Sequence, residues 1–200
     1  MEIIYTLIAI CWFVFFFSFF VMGRFTKRTV EHQGRIGRLA YIIPLFLSVF
    51  LLINGVSSQT VPGIEVKQSI YPLYVQILPN TSGLMATGLI LAVLGLLFGL
   101  WARVTLGSNW SGFVTIKENH ELVQRGPYAL VRHPIYSGML LLFLGTAVAL
   151  GTLGGFIGFP LFFIGSWIKL KQEEDVMLRH FREDYIEYQK RVKALIPFIL

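Results

Sequence analysis

The chain is read as an all-α integral membrane protein: five transmembrane helices, a cytoplasmic cofactor-binding region and a C-terminal amphipathic helix. Three observations lead there. Of its 200 residues, 55% are hydrophobic and only 14% charged, against about 25% charged in soluble domains. Its mean hydropathy is +0.67. Its apolar residues also gather into runs close to the ~20 residues that a bilayer crossing needs. At this length a single domain, residues 1–200, is expected.

The first run spans residues 3–22. It has no basic stretch before it and no small-residue cleavage site after it, and Arg24, Lys27 and Arg28 follow it. It therefore reads as a retained helix rather than a signal peptide. The second run, 39–56, carries Pro44 near its start, and the third covers 82–102. From Tyr136 to Ile168 there is no charged residue, and Gly151, Gly154 and Gly155 sit near the middle. That block is long enough for two helices and predicts a tight hairpin, 136–150 and 156–171.

Charge sets the orientation. The segment after the first run holds Arg24, Lys27, Arg28, Arg35 and Arg38, and the segment after the third holds Arg103, Lys117, Arg125 and Arg132. The segment after the second holds only Lys67, the hairpin turn holds no charge, and the tail is rich in Lys and Arg. The positive-inside rule then places the N-terminus outside and the tail in the cytoplasm. This alternation requires an odd number of spans, in agreement with five. The net charge of +6 follows from topology and anionic headgroups. The basic residues are dispersed and form no nucleic-acid-binding motif. Cys11 is the single cysteine and lies inside an apolar run, which rules out an intramolecular disulfide.

The segment 54–81, with Pro62, Gly63, Pro72 and Pro79, reads as an external loop whose Tyr71, Tyr74 and Ile77 suit the interface. Gly95 with Gly99, and Gly154 with Gly158, are spaced four apart and permit close helix packing. In the tail, Met177, Phe181, Tyr185, Tyr188 and Val192 recur at steps of four and three, which predicts one amphipathic helix over 173–192. Acidic residues crowd its start and basic ones its end, in accord with the helix dipole, and Pro197 stops it.

Much familiar chemistry is missing. The four histidines, His32, His120, His133 and His180, show no metal-ligand spacing, so no metal is expected. There is no nucleophile elbow, P-loop or dinucleotide-binding glycine motif, and no span carries an obvious central charge. Two polar clusters remain at the cytoplasmic face: His120–Tyr136, HELVQRGPYALVRHPIY, and the Glu173–Glu174 pair. Taken singly, each has a bland reading, as a basic membrane anchor or a solvated helix start.

Together they resemble a known family. RHPIYSG, followed about 35 residues later by EE and then by FREDYIEYQKRV and IPFI, is similar to the isoprenylcysteine carboxyl methyltransferases and related membrane methyltransferases, including phospholipid methyltransferases. The resemblance covers roughly residues 114–200, within a catalytic region of 103–200. It implies S-adenosylmethionine as cofactor. His120, Glu121, Leu122 and Val123 match the segment that borders the cofactor, largely through backbone groups. Tyr128 matches a cofactor-contacting tyrosine, and His133, Pro134, Ile135 and Tyr136 match the turn around the cofactor. Glu173 matches a cofactor-binding glutamate. Where the family has a substrate-orienting arginine this chain has Lys169, which keeps the charge but loses the bidentate fork.

The residue chemistry fits that implication. Glu173 or Glu174 can pair with the cofactor ammonium. Arg132, His133 or backbone N–H groups can hold its carboxylate, and Tyr128, Tyr136 and Pro134 offer flat surfaces for adenine. Lys169, Arg132 and Glu173 are the candidate catalytic residues. A carboxylate acceptor needs no general base, so catalysis would be positioning in a sheltered site. The expected acceptor is a lipid-embedded prenylcysteine-type molecule that meets the cofactor at the cytoplasmic face of the membrane. An oligomer is not required. Three alternatives stay open: methylation of a phospholipid or other lipophilic amine, a sterol-type reductase using NADPH, and a non-enzymatic scaffold or channel. Ile135 stands where the reductase pattern has Asn.

Overall fold

A computed structural model describes residues 2–32, 35–56, 73 and 75–199. In chain order the elements are α1 Glu2–Gly23, β1 Thr29–His32, α2 Arg35–Val56, α3 Ser82–Leu106, β2 Thr115–Lys117, α4 Pro134–Leu150, α5 Leu153–Phe181 and α6 Glu183–Arg191. Three helices are long and apolar enough to cross a membrane: α1, α3 with its short extension to Asn109, and α5. Shorter apolar stretches, Gly37–Ile53 and Pro134–Leu150, lie in α2 and α4. Large apolar side chains such as Phe13, Phe46, Ile90 and Leu97 are more than half exposed. A belt of this kind is stable only against hydrocarbon, and the chain is an integral membrane protein.

Small residues decide which helices pair. A Cβ on Gly95 would lie 2.6 Å from the Gly138 carbonyl, and one on Gly88 would lie 2.5 Å from that of Gly145. The backbones of α3 and α4 therefore touch. On α5, Gly154 and Gly158 meet the Leu51 and Ser48 carbonyls of α2 in the same way. Lipid supplies no hydrophobic drive for helix association, so this close approach and its dispersion contacts hold the bundle. The α1 helix lies on α3, where Phe15 fills the space over Gly99.

The hairpin turn is narrower than expected. Gly151, at φ +64, and Thr152 alone make it; Gly154 and Gly155 lie inside α5 as packing residues. From the 54–81 segment, Val75–Leu78 bonds to this turn: Ile77 donates to the Gly151 carbonyl, and the Gln76 amide donates to that of Leu150. Pro62, Gly63, Tyr71, Pro72 and Tyr74 lie outside the described residues.

Two expectations are corrected. The tail is not one helix over 173–192. The α5 helix carries the chain to Phe181, Arg182 breaks it at φ +49, and α6 runs only to Arg191. The chain stops being helical at Val192, before Pro197, because its carbonyls are engaged elsewhere: Arg132 and His133 donate their backbone N–H groups to Lys193 and Ala194. There is also a small antiparallel ribbon, in which β1 pairs with β2. It ties the segment after α1 to the segment after α3, at the end of the bundle where the polar clusters lie.

Candidate active site

Four pieces of chain meet at that end. The first is the stretch after α3, which crosses Asn109 and Trp110 and reaches His120–Val123. The second is the 3-10 turn Gly126–Ala129, which holds Tyr128. The third is the start of α4, where His133 is the cap and Pro134 occupies the first turn. Proline is suited to that place because the N–H it lacks has no helical partner there. The fourth is the middle of α5, followed by α6.

A cavity of about 350 Å³ lies between them. Its polar walls include His120, Glu121, Arg132, His133, Lys169 and Glu173, with Leu122, Val123, Tyr128, Ile135 and Tyr136 between them. Phe15, Phe16 and Phe19 of α1 and Met139 of α4 add apolar wall. Pro134 and Glu174 are not among its lining residues.

The two adjacent glutamates point to different surroundings. Glu174 is 3% exposed. It accepts from Arg132 Nε at 2.8 Å and from Lys171 Nζ at 2.9 Å, and its Oε1 lies 3.3 Å from His133 Nε2. Arg132 Nη1 donates in turn to the Val192 and Gln189 carbonyls. The Arg132 guanidinium is thus largely committed to fastening the tail, and Glu174 to neutralising it. Glu173 keeps a 21% exposed side chain. Its Oε1 accepts from the Tyr136 hydroxyl at 2.6 Å, and its Oε2 lies 3.7 Å from His133 Nδ1. Lys169 Nζ donates to the Gly112 carbonyl at 2.9 Å and sits over the rings of Tyr41 and Tyr136.

His120 accepts the Lys117 backbone N–H on Nδ1 at 3.3 Å, which leaves the proton on Nε2. Burial, with His180, Lys27 and Lys117 nearby, pushes its pKa down to about 4, so the ring is neutral at pH 7. Burial first, and then Glu173 and Tyr188, push the Tyr128 hydroxyl up. Past His120 the chain runs irregularly over Glu121–Val123. Among the described residues their N–H groups make no backbone–backbone hydrogen bond. Such groups beside a cavity are available to a ligand with acceptor atoms.

Several lining residues were not anticipated. Tyr185 and Tyr188 of α6 close one side, and the Tyr188 hydroxyl donates to the Tyr128 carbonyl. Their helical spacing marked them only as an apolar stripe. Trp110, also in the wall, lies under the Arg103 guanidinium at 4.5 Å. Arg103 is 1% exposed and donates to the Gly107 carbonyl. In the sequence it reads as one more basic flank.

The donor set fits S-adenosylmethionine. A partly exposed carboxylate, Glu173, suits an ammonium. The open backbone donors at 121–123 and the neutral His120 suit acceptors, and Tyr128, Tyr185 and Tyr188 supply aromatic surface.

Residues 84–184 match the family model described as phospholipid methyltransferase. The chain is 33% identical over 140 residues to the protein-S-isoprenylcysteine O-methyltransferase of Xenopus laevis, covering 67% of this chain and 46% of that one. It is 35% identical over 125 residues to the enzyme of that name in Homo sapiens, covering 61% and 44%, and 33% identical over 118 residues to form B from Arabidopsis thaliana, covering 56% and 58%. The chain thus spans about half the length of these relatives. A solved eukaryotic intramembrane Ras methyltransferase, the isoprenylcysteine carboxyl methyltransferase, superposes with a TM-score of 0.48 at 25% identity, covering 85% of this chain and 55% of the other.

Proposed function

Given that the chain belongs to the phospholipid methyltransferase family, we propose that it is an S-adenosylmethionine-dependent methyltransferase that esterifies the carboxylate of a lipid-borne, isoprenylcysteine-type acceptor. The observation that carries this reading is the mixed lining of the cavity. Glu173, His120 and His133 share it with Phe15, Phe16 and Phe19 of α1 and Met139 of α4, side chains of the apolar helices. A water-soluble cofactor and a membrane-held acceptor have different solvents, and this cavity touches both.

S-adenosylmethionine supplies an activated methyl group on a sulfonium centre. Glu173 holds its ammonium, with Tyr136 fixing the carboxylate rotamer through a 2.6 Å hydrogen bond. The backbone of 121–123 and the His120 Nε2–H receive its acceptor atoms. Glu174 acts behind this layer and Arg132 at its edge: they lock the tail, and with it the His133 cap, in place. Lys169 brings positive charge near the rings of Tyr41 and Tyr136 and orients the acceptor carboxylate. That carboxylate is ionised at neutral pH, so the site needs no general base, and catalysis rests on alignment and exclusion of water. The site faces the cytoplasm, with the N-terminus outside and five helices crossing.

The test is label transfer from S-adenosylmethionine to S-prenylcysteine acceptors, with parallel calorimetry using S-adenosylhomocysteine. Glu173→Gln is expected to weaken S-adenosylhomocysteine by about tenfold or more, the loss of one charge-assisted contact. Unchanged affinity in that variant, or absence of transfer in the parent protein, overturns the reading. The family model's own description favours a second reading, a phospholipid amine acceptor. It predicts transfer to phosphatidylethanolamine-type lipids and a rate that rises with pH as the amine loses its proton.

A further inference from the structure

We infer that a second cavity, lying between the apolar helices and partly open along their outer face, measures the length of the acceptor's hydrocarbon tail, with Phe16 as the gate into it; this rests on the acceptor reading above. The cavity has a volume of about 360 Å³ and lies between α1, α2 and α4. Phe16 lines both it and the candidate active site, so the two spaces share a wall one side chain thick. Beyond Phe16 its α1 wall continues through Trp12, Ala9 and Tyr5 at steps of four, three and four, one face of the helix. The α4 wall likewise continues the face that bears Met139 through Thr146 and Leu150.

The chemistry of these walls selects hydrocarbon. The Trp12 indole N–H donates to Thr146 Oγ at 3.0 Å, and the Thr146 hydroxyl donates to the Leu142 carbonyl at 2.8 Å. These two polar groups are satisfied by the protein, the Tyr5 hydroxyl is the other polar side-chain group in the lining, and a space so largely apolar takes apolar guests. Phe16 is more than half exposed and stacks on Trp12 at 5.6 Å, so its ring has room to swing. From Phe16 to Tyr5 the helix rises about 16 Å at ~1.5 Å per residue. An isoprene unit adds about 5 Å, from four main-chain carbon–carbon bonds of ~1.5 Å. The far cavity is thus about three units deep. Moving a tail from bilayer to cavity gains little hydrophobic energy, because lipid is equally apolar. Discrimination comes from how well the tail's length fills the space.

The experiment uses the full chain in detergent and S-prenylcysteine acceptors with ten-, fifteen- and twenty-carbon tails. Ala9→Phe and Val49→Phe shorten the far cavity from opposite walls. Each is expected to lower kcat/KM for the twenty-carbon acceptor roughly tenfold relative to the ten-carbon one, mainly through KM, with S-adenosylhomocysteine affinity unchanged. Equal losses for all three tails, or no loss in either variant, overturn the ruler. Failure of the parent protein to methylate any prenylcysteine, while it still binds S-adenosylhomocysteine, overturns the acceptor reading instead, and it appears before any variant is made.

Discussion

Glu174 is packed against Arg132, His133 and Lys171, while its neighbour Glu173 presents a partly exposed carboxylate to the cavity. Glu174→Gln is therefore expected to destabilise the fold by about 3–5 kcal/mol, since it leaves Arg132 buried without its counter-charge. Glu173→Gln should leave stability within about 1 kcal/mol. Thermal unfolding in detergent separates the two. His120 carries a pH prediction. Its folded pKa, about 4, lies below its unfolded value near 6.5, so the unfolded chain binds the extra proton first. The His120 contribution is intact above pH 6.5 and is lost as pH falls toward 4. His120→Gln should flatten the stability profile over that window. The motif made HELV, RHPIY and EE visible at this scale. The resemblance pointed to Glu173, while residue chemistry alone left either glutamate able to pair with the ammonium, because residues adjacent on a helix point about 100° apart and only the partners around them distinguish their surroundings.

The helix pairs depend on contacts shorter than any side chain permits. A Cβ on Gly138 would lie 2.7 Å from the Gly95 carbonyl and the Gly99 nitrogen. Gly138→Ala should thus force α3 and α4 apart and cost about 1–3 kcal/mol, read as a lower melting temperature with the helix content retained. Helix existence was legible from apolar runs alone. Helix ends were less so: the run to 171 and the tail stripe from 173 already read as helix, and the structure joins them in α5 only as far as Phe181. The break at Arg182 left no signal in the Met177–Val192 stripe, which keeps its period across it.

For the whole molecule, the expected topology has the site end in the cytoplasm. Glu183→Cys should react with an impermeant thiol reagent only from the cytoplasmic side, and Ser82→Cys only from the outside. The native Cys11 is buried in α1 and adds little background. Reaction of both from one side would refute an odd number of crossings between them, over α3, α4 and α5. The β1–β2 ribbon and the strapped tail also belong to this scale. Both join segments far apart in the chain, and neither has a local pattern that announces it.

The amino-acid sequence by itself determined the membrane class, the positions of the apolar runs and the two polar clusters, because hydropathy and motif spacing are local properties. Tertiary structure alone decided that Arg132 and Glu174 brace the site while Glu173 faces it. It also brought Tyr185, Tyr188 and the α1 phenylalanines into the same cavity, and opened a second apolar space beyond Phe16. Those outcomes depend on which helices approach through their glycines and on where each buried charge finds its partner. Both are distances between residues remote in the chain, and no local pattern records them.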